Sequence, residues 1–129
     1  MDEAPSSGSV SQAADLQETE PVWQDNLPQA LALAAEVNKP ILLQFTASWC
    51  GPCRVMNATV WPDQQVQAAL AKHAIPVKID IGEAANREVV QLYGIRSIPT
   101  ILLIDGNGNE LTRGGFMSAE ALAKFINPS

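Results

Sequence analysis

Two cysteines stand three positions apart in Trp49-Cys50-Gly51-Pro52-Cys53, and the 129-residue chain has no others. A pair this close cannot staple a small secreted scaffold together, so its spacing points to chemistry. Only a thiolate attacks a disulfide, and the mixed disulfide that results is released when a second thiol displaces it. A helix starting at Cys50 would favour an anion there through its unpaired N–H groups and macrodipole, so the Cys50 thiol should ionise more readily than a free one. Cys53, one helical turn on, is placed to displace the mixed disulfide. Gly51 lets a partner's backbone come close, and Pro52 suits a first turn, where no N–H is missed. Three blander readings compete. A purely structural bridge over so short a loop adds little, because the entropic benefit shrinks with loop length. A zinc site needs four ligands, whereas the chain offers two cysteines and His73, which reads as a solvated mid-helix side chain. The third is a pair of unrelated core cysteines.

The elements that must hold this pair are legible as a sequence of periods and stops. Asp25 or Asn26 can cap a helix that sets Leu27, Ala30, Leu31 and Ala34 on one face before Asn38-Lys39-Pro40 ends it. Ile41 to Thr46 is short and almost continuously apolar, as a strand buried on both faces reads. A helix is predicted from about Cys50, breaking near Trp61-Pro62 and restarting at the cap Asp63 to run through Val66, Leu70 and Lys72. Ile75 to Ile81 is the second strand, Asn86 to Tyr93 a helix that Gly94 ends, and Thr100 to Ile104 the third strand. Asp105-Gly106-Asn107-Gly108-Asn109 is a hairpin turn, since Asn-Gly and Asp-Gly tolerate positive φ. A short strand from Glu110 to Arg113, then Gly114-Gly115, leads to a last helix capped by Ser118. This order implies an α/β class, a central mixed sheet with helices on both faces, and no internal repeat. Functional groups in such sheets collect at the carboxyl ends of the parallel strands, which is where the cysteines fall.

Composition narrows the function further. The chain is 47% hydrophobic, enough for one core, and no apolar run approaches the roughly 18 to 20 residues that cross a bilayer. Its formal charge of −6 is concentrated, because residues 1 to 21 hold five acids and no base. The rest carries 9 acids against 8 bases and no basic stripe with aromatics, so nucleic acid is not an expected partner. Residues 1 to 21 have too few apolar groups to offset ordering and read as a disordered acidic leader before a single domain over 22 to 129. The start Met1-Asp2-Glu3 is acidic where a secretory signal is basic, which leaves open a targeting segment removed before Asp2.

The cysteine loop, taken together with Tyr93-Gly94-Ile95-Arg96-Ser97-Ile98-Pro99-Thr100, resembles the active-site loop and cis-proline loop of the thioredoxin family. The resemblance runs with gaps from Trp23 to Ile126. Val60 to Gln67, Asp105 to Gly108 and Gly115-Phe116-Met117 resemble more closely the periplasmic C-terminal domain of the bacterial transmembrane thiol:disulfide interchange proteins. The resemblance implies a thioredoxin fold, with Cys50 as the attacking thiol, Cys53 as the resolving thiol and Pro99 in cis. An X-Pro bond is otherwise cis in only about 5 to 6% of cases. It further implies that the backbone at Ile98 and Pro99 pairs with a substrate chain, and that Trp49, Gly51, Pro52 and Gly115 line its approach, with Trp49 shielding the thiols. Gly115 reads equally well as a turn after an edge strand, and Trp23 and Trp61 as packing residues. The redox group would be the Cys50–Cys53 disulfide itself, with no metal and no added cofactor.

Two departures from the family pattern stand out. The usual buried carboxylate six positions before the first cysteine is Gln44 here, and the aromatic two positions later is Thr46. The carboxylate that the interchange-protein domain carries four positions after its second cysteine is Asn57. Cys53 and Asn57 are i and i+4 and share a helix face. Neutral amides therefore stand where an acid would oppose thiolate formation or take up a proton, and Gln44 and Asn57 are expected to modulate the pair.

The reading is a thiol:disulfide oxidoreductase, a dithiol reductase or electron carrier for protein disulfides. Its partners would be disulfide-containing clients and an upstream thiol electron donor. The alternatives are an oxidase or isomerase on the same fold, and a redox-inert client-binding assembly factor. A monomer is expected, periplasmic or exported, tethered or free, with the cytoplasm as the alternative compartment.

Overall fold

Ile41–Thr46 becomes the strand around which the rest is layered: β1, buried along its whole length. The structure is a computed structural model that describes residues 20–127, so the expected leader falls almost entirely outside the described residues. In chain order the elements are α1 (Leu27–Val37), β1, α2 (Gly51–Thr59), α3 (Gln64–His73), β2 (Ile75–Asp80), a 3-10 turn (Ala84–Asn86), α4 (Arg87–Leu92), β3 (Thr100–Ile104), β4 (Glu110–Gly114) and α5 (Ala119–Ile126). The sheet order is β2-β1-β3-β4. β1 runs parallel to β2, in register from Ile41 opposite Ile75 to Thr46 opposite Asp80, and antiparallel to β3. β3 and β4 form the antiparallel hairpin, with a register shift at Leu103/Ile104.

Side chains alternate along β1, so its two faces feed two cores. Ile41, Leu43 and Phe45 pack with Ala30 and Ala34 of α1 and with Val89 and Val90 of α4. Leu42 belongs to the opposite core with Met56, Val60, Val66, Leu70, Leu122 and Ile126, from the α2, α3 and α5 side. That is the mixed sheet with helices on both faces. The strand is central because neither face is free to carry polar groups, apart from Gln44 and Thr46.

Caps set the helix boundaries. Asn26, not Asp25, caps α1, its Oδ1 accepting the Gln29 N–H at 2.9 Å, and Asn38 closes the helix in the left-handed region at φ 58. Asp63 takes the N–H groups of Gln65 and Val66 at 2.8 and 3.3 Å, and the Ser118 Oγ takes that of Ala121 at 3.1 Å. The helix expected over 86 to 93 is split. Asn86 donates its Nδ2–H to the Asp80 carbonyl at 2.9 Å instead of capping, so the segment opens as a 3-10 turn tied to the end of β2. Strand β2 ends at Asp80, whose Oδ1 accepts the Gly82 N–H at 2.8 Å and turns the chain. His73 is the last residue of α3, not a mid-helix residue, and borders a groove with Lys72, Glu120 and Lys124. Trp61 is buried and meets Trp23 edge to face, ring centroids 5.6 Å apart, as two packing residues.

Candidate active site

The carboxyl end of β1 runs into Ala47-Ser48-Trp49 and then into α2, with Cys50 as its N-cap. Cys50 is extended there, and its Sγ accepts the Cys53 N–H at 3.2 Å. An unpaired N–H of the first helical turn is thus aimed at the sulfur on which negative charge would develop. The first turn of α2 carries no acid, and Pro52 occupies it without losing a backbone bond. Arg54 anchors the helix to the preceding loop, donating from Nη1 to the Ser48 carbonyl at 3.3 Å.

Cys50 and Cys53 form a disulfide, with Cα atoms 5.3 Å apart. Cys50 retains 5% exposure and Cys53 1%. Ala47 is buried with the pair, and Ile81 and Ile98 pack on it. The Ile98–Pro99 peptide is cis, and the Thr100 hydroxyl donates to the Ser97 carbonyl at 2.6 Å in the same loop. A Cβ built at Gly115 would lie 3.5 Å from the Pro99 carbonyl oxygen, so the β4–α5 connection passes beside the proline loop. A Cβ at Gly51 would meet nothing within 4 Å, so the space beside that residue, between the two cysteines, is open. Trp49 is 67% exposed, with most of its indole turned outward, and Phe116 next to Gly115 is also exposed.

Beneath this rim the two amides meet. Gln44, 4% exposed on the α2-facing side of β1, donates its Nε2–H to Asn57 Oδ1 over a long 3.4 Å. The structure therefore gathers Trp49, Cys50, Gly51, Pro52, Cys53, Ile98, Pro99 and Gly115 at one end of the sheet, and joins Gln44 to Asn57 on the helix that carries Cys53. Sequence reasoning did not single out Ala47 and Ile81. Both directly follow the predicted ends of adjacent parallel strands, or lie at those ends, and that position was the available signal. His73, the one further candidate ligand, lies in the groove between α3 and α5 and not with the cysteines.

A thioredoxin-like domain profile matches residues 27–128. The chain is 33% identical over 88 residues to a thioredoxin of Rickettsia bellii, covering 68% of this chain and 79% of that protein. It is 32% identical over 106 residues to the thiol:disulfide interchange protein DsbD of Yersinia pestis, covering 78% of this chain but only 17% of that protein's length. Among solved structures it resembles a disulphide isomerase from Xylella fastidiosa at a TM-score of 0.66 and 31% identity, covering 78% of this chain and 86% of that one.

Proposed function

Since the chain belongs to the thioredoxin-like domain family and is a thiol:disulfide oxidoreductase, we propose that Cys50 is its attacking sulfur, Cys53 its resolving sulfur, and reduction of protein disulfides its net work. The observation that carries this division of labour is the Cys50 Sγ held at the start of α2 against the Cys53 N–H, with Cys53 the more deeply buried of the two. In the dithiol form the Cys50 thiolate attacks one sulfur of a client disulfide. A Cys50–client bond forms, and the other client sulfur leaves as a thiolate that takes up a proton. Cys53 then loses its proton and attacks the Cys50 sulfur. The second client thiolate departs, and the Cys50–Cys53 bridge closes. Two electrons have passed to the client, and an upstream thiol donor restores the dithiol. The reacting group is the chain's own cystine, so no bound cofactor enters the cycle.

The client chain is proposed to lie across the rim, its backbone beside Ile98 and Pro99, with Trp49, Gly51, Pro52 and Gly115 bordering it. The open side of Gly51 and the approach of Gly115 to the Pro99 carbonyl support this path. A reducing direction is supported by the Cys-Gly-Pro-Cys loop and by the likeness to a thioredoxin. Isomerase action is the second reading, favoured by the likeness to the Xylella disulphide isomerase. A redox-inert binding role would leave a bridged pair at the start of α2 without a task.

We also propose a periplasmic or otherwise exported location, by kinship with the interchange protein, with residues 1 to 21 as a leader to the domain over 22 to 129. A monomer satisfies this mechanism. Insulin reduction in the presence of dithiothreitol tests the function. Acceleration of precipitation over dithiothreitol alone is expected, and equal rates would leave only the binding reading. The equilibrium potential against a glutathione series separates reductant from isomerase.

A further inference from the structure

The loop that carries Ile98 and Pro99 is anchored differently at its two ends. Downstream, Thr100 opens β3 opposite Phe45, and its hydroxyl closes on the Ser97 carbonyl. Upstream the loop leaves α4, a helix of six residues that buries none of its side chains fully and rests on the core through Val89 and Val90. A helix so short does not sustain itself, and its last carbonyls find no partner within it. Gly94, at φ 60, and the Ile95 N–H, bonded to the Val90 carbonyl at 3.0 Å, turn the chain out into the loop. The remaining ties come from the β3–β4 hairpin. Arg113 Nη2 donates to the carbonyl of Tyr93, the residue before Gly94, at 2.6 Å. The same guanidinium is clamped by Glu110, to which Nε and Nη2 each donate at 2.9 Å, one to either carboxylate oxygen. A lysine ammonium cannot reproduce that planar fork. Arg113 is followed by Gly114-Gly115, where the chain passes beside the Pro99 carbonyl. One side chain thus joins the two walls of the client path.

We propose that Arg113, clamped by Glu110, is a positioning residue for client binding: it fixes the loop over residues 94–99 against the β4–α5 connection, so that the backbone at Ile98 and Pro99 is presented to an extended peptide. The inference rests on the client path given under the proposed function. The hydrogen bonds of Arg113 go to Glu110 and Tyr93 and none goes to the cysteines. Its loss therefore acts on a client that brings a peptide backbone to the loop and spares a disulfide that brings none. The α4 end is where the effect enters, because that end has little burial of its own to set its position.

The test compares two disulfides, insulin, which presents a peptide backbone, and hydroxyethyl disulfide, which has none. With dithiothreitol as donor, Arg113→Met is expected to raise the KM for insulin about three- to tenfold, the scale of one hydrogen bond. The kcat, the rate at which hydroxyethyl disulfide oxidises the reduced protein and the dithiothreitol equilibrium should stay as they are. Arg113→Lys keeps the charge without the fork and is expected to show most of the same rise. Full rescue by lysine would assign the effect to charge alone and overturns the proposal. Glu110→Gln, at an exposed position, serves if Arg113→Met does not fold, and a smaller rise in the insulin KM is expected from the loosened clamp. An unchanged insulin KM, or a parallel loss with both disulfides such as a general loosening of the fold would give, also overturns it. A wild type that reacts with hydroxyethyl disulfide but does not reduce insulin sinks the proposed function and this inference with it. A wild type that reduces insulin with a KM that the variants leave unchanged sinks this inference alone.

Discussion

The Cys50 sulfur accepts the Cys53 N–H at 3.2 Å at the start of an acid-free helical turn, so charge developing on it meets a donor already in place. Among the described residues none donates to the Cys53 sulfur, which is more deeply buried. Cys50→Ser is accordingly expected to abolish insulin reduction, whereas Cys53→Ser retains attack and accumulates clients as mixed disulfides, visible on a non-reducing gel. Trapping by Cys50→Ser instead would reverse the two roles. Gly115 makes a separate case. An added methyl would meet the Pro99 carbonyl at ordinary contact distance, so Gly115→Ala should change unfolding free energy by no more than about 0.5 kcal/mol. It should nevertheless raise the KM for insulin and leave the dithiothreitol equilibrium unchanged, because the methyl stands where a client backbone would lie. A stability loss well beyond that figure would make Gly115 a turn residue only.

At the scale of elements, the β3–β4 hairpin is pinned from both sides. The Asp105 carboxylate is held below the usual range, chiefly by the Asn109 N–H and further by that of Asn107 and the Asn109 side chain. Glu110 is lowered by its hydrogen bond from Arg113, whose guanidinium also donates to the Tyr93 carbonyl at 2.6 Å. Tyr93 in turn donates its hydroxyl to the Gly108 carbonyl at 2.7 Å, and its pKa is raised by burial and then by the Asp105 and Glu110 charges. The carboxylates are depressed in the folded state, so their contribution is present above the unfolded carboxylate pKa and is lost as pH falls through the folded values. The phenol is raised, so its contribution is present below the unfolded tyrosine pKa and is lost as pH rises through the folded one. The Asn107 and Asn109 amide chemical shifts should therefore titrate with a midpoint below that of an ordinary aspartate. A midpoint at the ordinary value would show that the turn does not hold its carboxylate. Tyr93→Phe should cost about 0.5 to 1.5 kcal/mol in urea unfolding, the value of one net hydrogen bond, since it removes one of the two ties between the end of α4 and the hairpin.

The whole molecule hangs on β1, which lends alternate side chains to two cores. Leu42 lies in one and Leu43 in the other, both fully buried. Each Leu→Ala substitution is expected to cost about 2 to 5 kcal/mol by leaving a cavity. Because both cores share the sheet, neither can melt alone. Tryptophan fluorescence from the Trp23–Trp61 pair on the Leu42 side and far-UV circular dichroism should keep a common midpoint in both variants. Separate midpoints in Leu43→Ala would mean that the α1/α4 face unfolds as its own unit.

What the sequence determined by itself was carried by neighbours along the chain. The apolar run of β1, the caps Asp63 and Ser118, the Asp-Gly-Asn-Gly turn and the cysteine spacing each express an interaction spanning a few residues, and each stands where it was expected. The choice between Asp25 and Asn26 and the 3-10 opening of α4 were not legible, because they turn on which side chain reaches a carbonyl or N–H once the chain is folded. The tertiary structure alone decided the β2-β1-β3-β4 order, the packing of Ala47 and Ile81 on the cysteines, and the pairing of Gln44 with Asn57. Thirteen positions separate those two amides, and only the burial of β1 beneath α2 brings them within hydrogen-bonding distance. Periodicity marks which face of an element is apolar. It does not say which other element covers that face, and that long-range choice brings the Gln44 amide to Asn57.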